Sequence, residues 1–210
     1  MSRLALALVL AATAAHARPK DDNQPRGFTW PPSRMMEAAE HACEARLDEL
    51  GVAWKPAKAA GHVVDPITVS EIGGIAYTAV YRDSPAMDCQ LVLALATIAP
   101  HLYELGVREI KIGSSKVHVG GKTRDGLSRH ALGLAIDVVS FVDDQGREAV
   151  VARDYKDNDE LLMSIERAVD DTGIFRLVLT PNNDPVSHKD HFHIEANPDY
   201  SEAIPERPSS

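Results

Sequence analysis

The stretch Leu134–Val151, LAIDVVSFVDDQGREAVV, decides how this chain folds. Residues 134–142 are apolar on both parities except for Asp137 and Ser140, the pattern of a strand buried on both faces. Asp143-Asp144-Gln145-Gly146 is a turn sequence, and Arg147–Val151 returns as the second arm of a hairpin. Asp137 is the discordant residue. A carboxylate flanked by Ile136, Val138 and Val139 is costly to bury unless a cation or strong donors meet it.

Working outward toward the N-terminus, SSKVHVGGKTRDGLSR (114–129) is a glycine- and cation-rich loop, preceded by a strand in VREIKIGSS. Asp88 is placed to cap a helix whose run CQLVLALATIA is apolar nearly all round, so it is central and buried, with Pro100 expected to kink or end it. Short strands are expected at about 67–70 and 75–81. Ser33 caps a helix over about 34–50, where Met36, Ala39, Cys43, Leu47 and Leu50 share a face and Gly51 ends the run. Toward the C-terminus, Asn158 is expected to cap a helix to about Asp171, and FRLVLT and HFHIE are the last strands. This order predicts an α+β fold, a mainly antiparallel sheet flanked by helices.

The rest of the chain bounds the protein's class. Met1–Ala17 has Arg3, the apolar run Leu4–Ala15 and the small-x-small site Ala15-His16-Ala17, the pattern of a secretory signal peptide. Residues 18–32 are polar with four prolines and read as a linker, 33–197 as the folded domain, and 198–210 as a flexible tail. No later run is long enough to span a membrane. Removing Arg3 with the signal peptide leaves 21 basic against 31 acidic residues, a charge of −10. That balance excludes a nucleic-acid or anionic-membrane binder, which needs a clustered basic face. An exported monomer, periplasmic or extracellular, is expected. In an oxidising compartment its two cysteines have one possible pairing, Cys43–Cys89; two buried free thiols are the alternative.

The chemistry lies in LSRHALGLAIDV and SHKDHFHIE. His130 precedes Asp137 by seven residues; His188, His191 and His193 lie in the second segment. In a strand His191 and His193 share a face, so both imidazoles can converge on one point. Two imidazoles and a carboxylate, with a fourth position left for water, is the usual composition of a catalytic zinc site. A hydrogen-bonded or surface histidine pair and a salt-bridged Asp137 are the alternatives.

Ser128-x-His130-x-x-Gly133-x-Ala135-x-Asp137 followed by Asp190-His191-Phe192-His193 resembles the motifs of the LAS zinc metallopeptidases (lysostaphin, D-Ala-D-Ala metallopeptidase, sonic hedgehog). Closer still is the resemblance to the bacterial extensin-like C-terminal domain family, from about 40 to 196. It extends to Cys43, ITVSEIGGIA, Cys89 and Gly113-Ser114. The resemblance implies a D-Ala-D-Ala metallopeptidase (hedgehog-like) fold and one zinc ion per chain on His130, Asp137 and His193. It implies catalytic roles for Asp190 and His191, leaving open which is the principal base. Lys116, Arg124 and Ser128 are candidate substrate contacts. Glu195 is expected to support a ligand histidine, and His188 either to do so or to contact substrate. The implied function is an exported zinc peptidase cutting amide bonds in peptidoglycan stem peptides or cross-links, with water as nucleophile. The alternative is a non-catalytic, zinc-stabilised module that binds cell wall or a partner.

Overall fold

The strand expected over 134–142 forms at Ala135–Asp143, and the main sheet is assembled on it. The computed structural model describes residues 23–58, 61–80, 86–113, 122–123 (backbone only) and 126–201. The expected signal peptide, Lys116 and Arg124 lie outside the described residues.

The elements run α1 (Arg34–Glu49), β1 (Trp54–Pro56), β2 (Pro66–Val69), β3 (Glu71–Ile72), β4 (Ile75–Ala79), β5 (Met87–Asp88), α2 (Cys89–Glu104) and β6 (Val107–Ile112). Then come β7 (Lys122–Thr123), β8 (Gly126–Leu127), a 3₁₀ turn (Arg129–Leu132), β9 (Ala135–Asp143), β10 (Glu148–Val150) and α3 (Val151–Asp154). A second 3₁₀ turn (Tyr155–Asp157), α4 (Glu160–Asp171), β11 (Leu177–Leu179) and β12 (Phe192–Glu195) complete the chain. The main sheet has the order β11-β12-β9-β6-β4-β3, with β10 also on β9. Its pairings are antiparallel except β4 with β6, which is parallel. β12 and β10 share one edge of β9, β12 along 135–138 and β10 along 140–142. The fold is mixed α+β.

α2 is the apolar centre. Leu91, Leu95, Ile98 and Leu102 pack among Ile110, Ile136 and Phe141 of the sheet and Ile165 and Val169 of α4. The helix continues through Pro100 to Glu104, where an end or kink was expected. Proline removes one ladder donor, and the buried Leu102 fixes the last turn to the core. A second correction concerns α4. Its cap is Asp159, whose side chain accepts from Leu161 N and Leu162 N, while Asn158 adopts a left-handed conformation that closes the preceding turn.

Cys43 of α1 and Cys89, the first residue of α2, form a disulfide. On the chain-entropy view, closing a loop of this length contributes roughly 4 kcal/mol. Beside it Asp88 caps α2 through Gln90 N and also accepts from Val64 N and Asp65 N, while its own N–H donates to Gly133 O at 3.0 Å. Gly133 has φ +69°, and a Cβ there would lie 2.8 Å from Asp88 N and 2.9 Å from Val63 Cγ1, so only glycine lets the two segments meet. No helix among the described residues is long and apolar enough to cross a membrane.

Packing extends past both expected domain boundaries. Phe28, in the expected linker, packs on the core, and Arg26 forms a parallel bridge with Asp199. Tyr200, in the expected tail, is 2% exposed and donates its hydroxyl to Glu40 Oε1 at 2.7 Å. Gly27, with φ +75°, lies so close to the Tyr200–Ser201 peptide that a Cβ would meet Ser201 N at 2.6 Å. These apolar and backbone contacts outweigh the polar, proline-rich composition that suggested loose ends.

Burial, reinforced by the nearby Asp88, pushes the Glu40 carboxyl from 4.5 up to about 9, against the hydrogen bond from Tyr200. Between those values the folded chain keeps a proton that the unfolded chain has lost, so stability falls as pH rises. Melting temperature should therefore decline from pH 5 to pH 9, and Glu40→Gln should flatten that decline. An equal slope in the variant would show that Glu40 is not its source.

Candidate metal centre

The centre is built where β9 and β12 pair. His193 lies directly opposite Asp137 in the antiparallel register, and the 3₁₀ turn before β9 brings in His130. Ser128 starts that turn, its Oγ accepting from His130 N at 3.3 Å. Arg129 is 1% exposed; its Nη1 donates to Ala196 O at 3.1 Å and its Nη2 to Asn197 Oδ1 at 3.4 Å. The turn is thereby tied to the chain just beyond β12.

Three ligand-type atoms converge. Asp137 Oδ1 is 2.8 Å from His193 Nδ1 and 3.1 Å from His130 Nε2, and the two ring nitrogens are 3.1 Å apart. Donors bound tetrahedrally at about 2.0–2.1 Å from zinc lie about 3.3 Å from one another, so the observed triangle approaches the spacing a small divalent ion requires. Behind it, His193 Nε2 bonds Glu195 Oε1 at 3.0 Å, and Glu195 is paired with Arg176. An anionic partner on Nε2 leaves Nδ1 as the nitrogen that faces the centre.

The electrostatics favour a shared proton or a cation. Burial opposes ionisation of Asp137, but hydrogen bonds and charge from His130 and His193 hold its carboxyl well below the usual range. Burial likewise opposes the His193 cation, but Asp137 and Glu195 push its pKa from 6.5 up to about 9. Burial raises Glu195, and this is outweighed by His193, Arg176 and Arg129, which keep it ionised. A divalent ion would replace the positive charge that this arrangement already attracts.

Around the triangle is an open cleft of about 350 Å³, lined by Ser128, His130, Asp137, His188, His191 and His193 among others. His191 Nε2 lies 3.6 Å from Asp137 Oδ1, and its Nδ1 bonds Asp190 Oδ1 at 2.8 Å. Asp190 is itself 55% exposed and turned toward His191 rather than lining the cleft. His188 Nδ1 bonds Asp184 Oδ2 at 2.9 Å. Burial, with charge on His193 and His191, lowers the His188 pKa against the pull of Asp184.

The sequence-predicted residues His130, Asp137, His191, His193, Glu195, Ser128 and His188 are thus gathered in one place. Reading the sequence missed Arg176, Asp184 and the burial of Arg129. Arg176 could have been noticed as a charge in the apolar run FRLVL, as Asp137 was in its own strand. The Asp184–His188 spacing of four residues was equally visible. Arg129 looked like one more cation of a basic loop, and only the fold turns it inward.

Residues 41–203 match the family described as Extensin-like protein C-terminus. No curated protein and no solved structure matches the chain. The family match covers most of the chain and contains every residue of the ligand triangle, so the protein belongs to the extensin-like protein C-terminus family.

Proposed function

We propose that this protein is an exported zinc metallopeptidase that hydrolyses amide bonds in peptidoglycan stem peptides or their cross-links. The observation that carries the reading is the triangle of His130 Nε2, Asp137 Oδ1 and His193 Nδ1 in an open cleft, with His191 Nε2 poised beside it. A site kept only for stability is normally closed by a fourth protein ligand. Among the described residues no fourth ligand-type group joins the triangle, and His191 Nε2 stands 3.6 Å from Asp137 Oδ1. The peptidoglycan substrate and the D-Ala-D-Ala metallopeptidase (hedgehog-like) fold rest on the motif resemblance, which the mixed sheet and the pairing of His193 with Asp137 support. The disulfide supports the exported location.

His130, Asp137 and His193 would hold the ion. When bound, zinc supplies Lewis acidity, lowering the pKa of a water and polarising the scissile carbonyl. The remaining work falls to the chain's own groups. Asp190 accepts from His191 Nδ1–H, which leaves Nε2 as the basic nitrogen and fixes the ring's direction. His191 Nε2 takes the proton of the attacking water and returns it to the leaving amine. Asp190 thus acts through His191 as a positioning residue, and His191 is the base. Glu195 and Arg176 hold His193 from behind.

Two expectations follow. Purified protein should hold one zinc per chain, and His193→Ala or Asp137→Ala should lose most of it. Since His193 keeps a proton up to about pH 9, zinc uptake at neutral pH should release about one proton. Affinity should then fall about tenfold per pH unit on acidification, as measured by chelator competition from pH 6 to 8. Full zinc in either variant would overturn the ligand set.

Zinc-loaded protein should also convert purified muropeptides to smaller products identifiable by mass. His191→Ala should retain zinc and fold yet lose on the order of 10²–10⁴-fold in turnover. Wild-type protein that binds sacculi but cleaves no cross-linked or linear stem peptide would favour the binding module instead.

A further inference from the structure

A second carboxylate–imidazole pair lies on the cleft, and the steps above do not use it. His188 is braced by the loop between β11 and β12. Thr180, fully buried, donates to Glu166 Oε1 at 2.6 Å, and Thr180 N donates to Asn183 Oδ1 at 2.9 Å. Asn183 Nδ2 donates to Val178 O, Asp184 N to Thr180 O, and His188 N to Asp184 O, each at 2.9 Å. The Asp184 carboxylate then takes Ser187 N–H on one oxygen and His188 Nδ1 on the other. Little in this loop is left to chance: it presents one ring at one angle.

That ring packs against His191 and His193, with centroids 4.9 Å and 5.3 Å away, and it lines the cleft. It lies outside the ligand triangle, whose donor atoms belong to His130, Asp137 and His193. Among the described residues no group hydrogen-bonds His188 Nε2. A carboxylate partner on Nδ1 requires the hydrogen there, so the neutral ring offers Nε2 as a lone-pair acceptor. Of the neighbouring side chains, Ser128 Oγ takes His130 N, Glu195 is held by His193 and Arg176, and Asp137 by His130 and His193, while His191 Nε2 serves the attacking water. Peptide substrates carry N–H donors that need an acceptor where binding removes water from them.

We propose that His188 contacts the substrate directly, its Nε2 accepting a hydrogen bond from a backbone N–H of the bound peptide, and that Asp184 sets the tautomer that makes it an acceptor. The proposal rests on the peptidase reading. It selects substrates with an N–H at the contacted position over ester or N-methyl analogues. Asp184→Asn is the informative variant, because an amide donating to Nδ1 forces the hydrogen onto Nε2. The acceptor then becomes a donor with almost no change of shape.

The test uses the full zinc-loaded chain, with a stem pentapeptide as the probe for binding and muropeptides as the probe for turnover. Nitrogen NMR of the imidazoles should show His188 protonated at Nδ1 in the wild type and at Nε2 in Asp184→Asn. Zinc content should be unchanged in His188→Ala and Asp184→Asn. Pentapeptide affinity should fall about tenfold in His188→Ala, and at least as far in Asp184→Asn, with KM rising in step and kcat changing less. If wild type binds the pentapeptide, the variants bind it more weakly and nothing is cleaved, the peptidase reading fails while the His188 contact stands. Unchanged affinity in both variants, loss of zinc from either, or no pentapeptide binding by the wild type would overturn the contact.

Discussion

The pairing of His193 with Asp137 across two antiparallel strands is the constraint on which the rest of the centre depends. Asp137 lies in a strand whose neighbours Ile136 and Val138 are fully or almost fully buried, so its carboxylate is tolerable only where positive charge meets it. The register of β12 on β9 puts an imidazole directly opposite. A slip of one residue would bring Phe192 or Ile194 to that position and send His193 to the other face. Every further contact, including the 3₁₀ turn that delivers His130, is arranged around this one pair.

Support for the pair comes from groups that never reach the cleft. Glu195 and Arg176 fix the direction of His193, and Arg129 joins the His130 turn to Ala196 and Asn197. On the opposite side Gly133, which ends that turn, seats on Asp88, next to the disulfide between α1 and α2. The terminal segments close the arrangement: Arg26 and Gly27 lie against Asp199–Ser201, and Tyr200 reaches Glu40 of α1. The cluster of His130, Asp137 and His193 thus sits among contacts that join segments far apart in the sequence.

The cleft also separates two kinds of histidine by what lies on their second nitrogen. His193 is held at Nε2 and faces the centre with Nδ1, whereas His191 and His188 are held at Nδ1 by carboxylates and keep Nε2 for the cleft. The first arrangement suits an ion. The other two suit a water or a substrate, and the difference is set entirely by partner placement.

Much of this was determined by the sequence itself. The caps Ser33 and Asp88, the apolar run of α2, the hairpin around Asp143–Gly146 and the ligand-type residues are local patterns, because capping, periodicity and turn chemistry act over a few residues. Where local signals compete, the structure departs from the simplest of them. Pro100 did not stop α2, whose last turn is held by the buried Leu102, and Asp159 rather than Asn158 caps α4, because its side chain accepts from Leu161 N and Leu162 N. Only the tertiary structure decided that Arg129 points inward and that Arg176 stands behind Glu195. It also decided that residues near 26 and 200 belong to the packed domain. Those outcomes depend on which segments become neighbours and in what register, and no local pattern carries that information, because the partners lie as many as 173 residues apart along the chain, as Arg26 and Asp199 do.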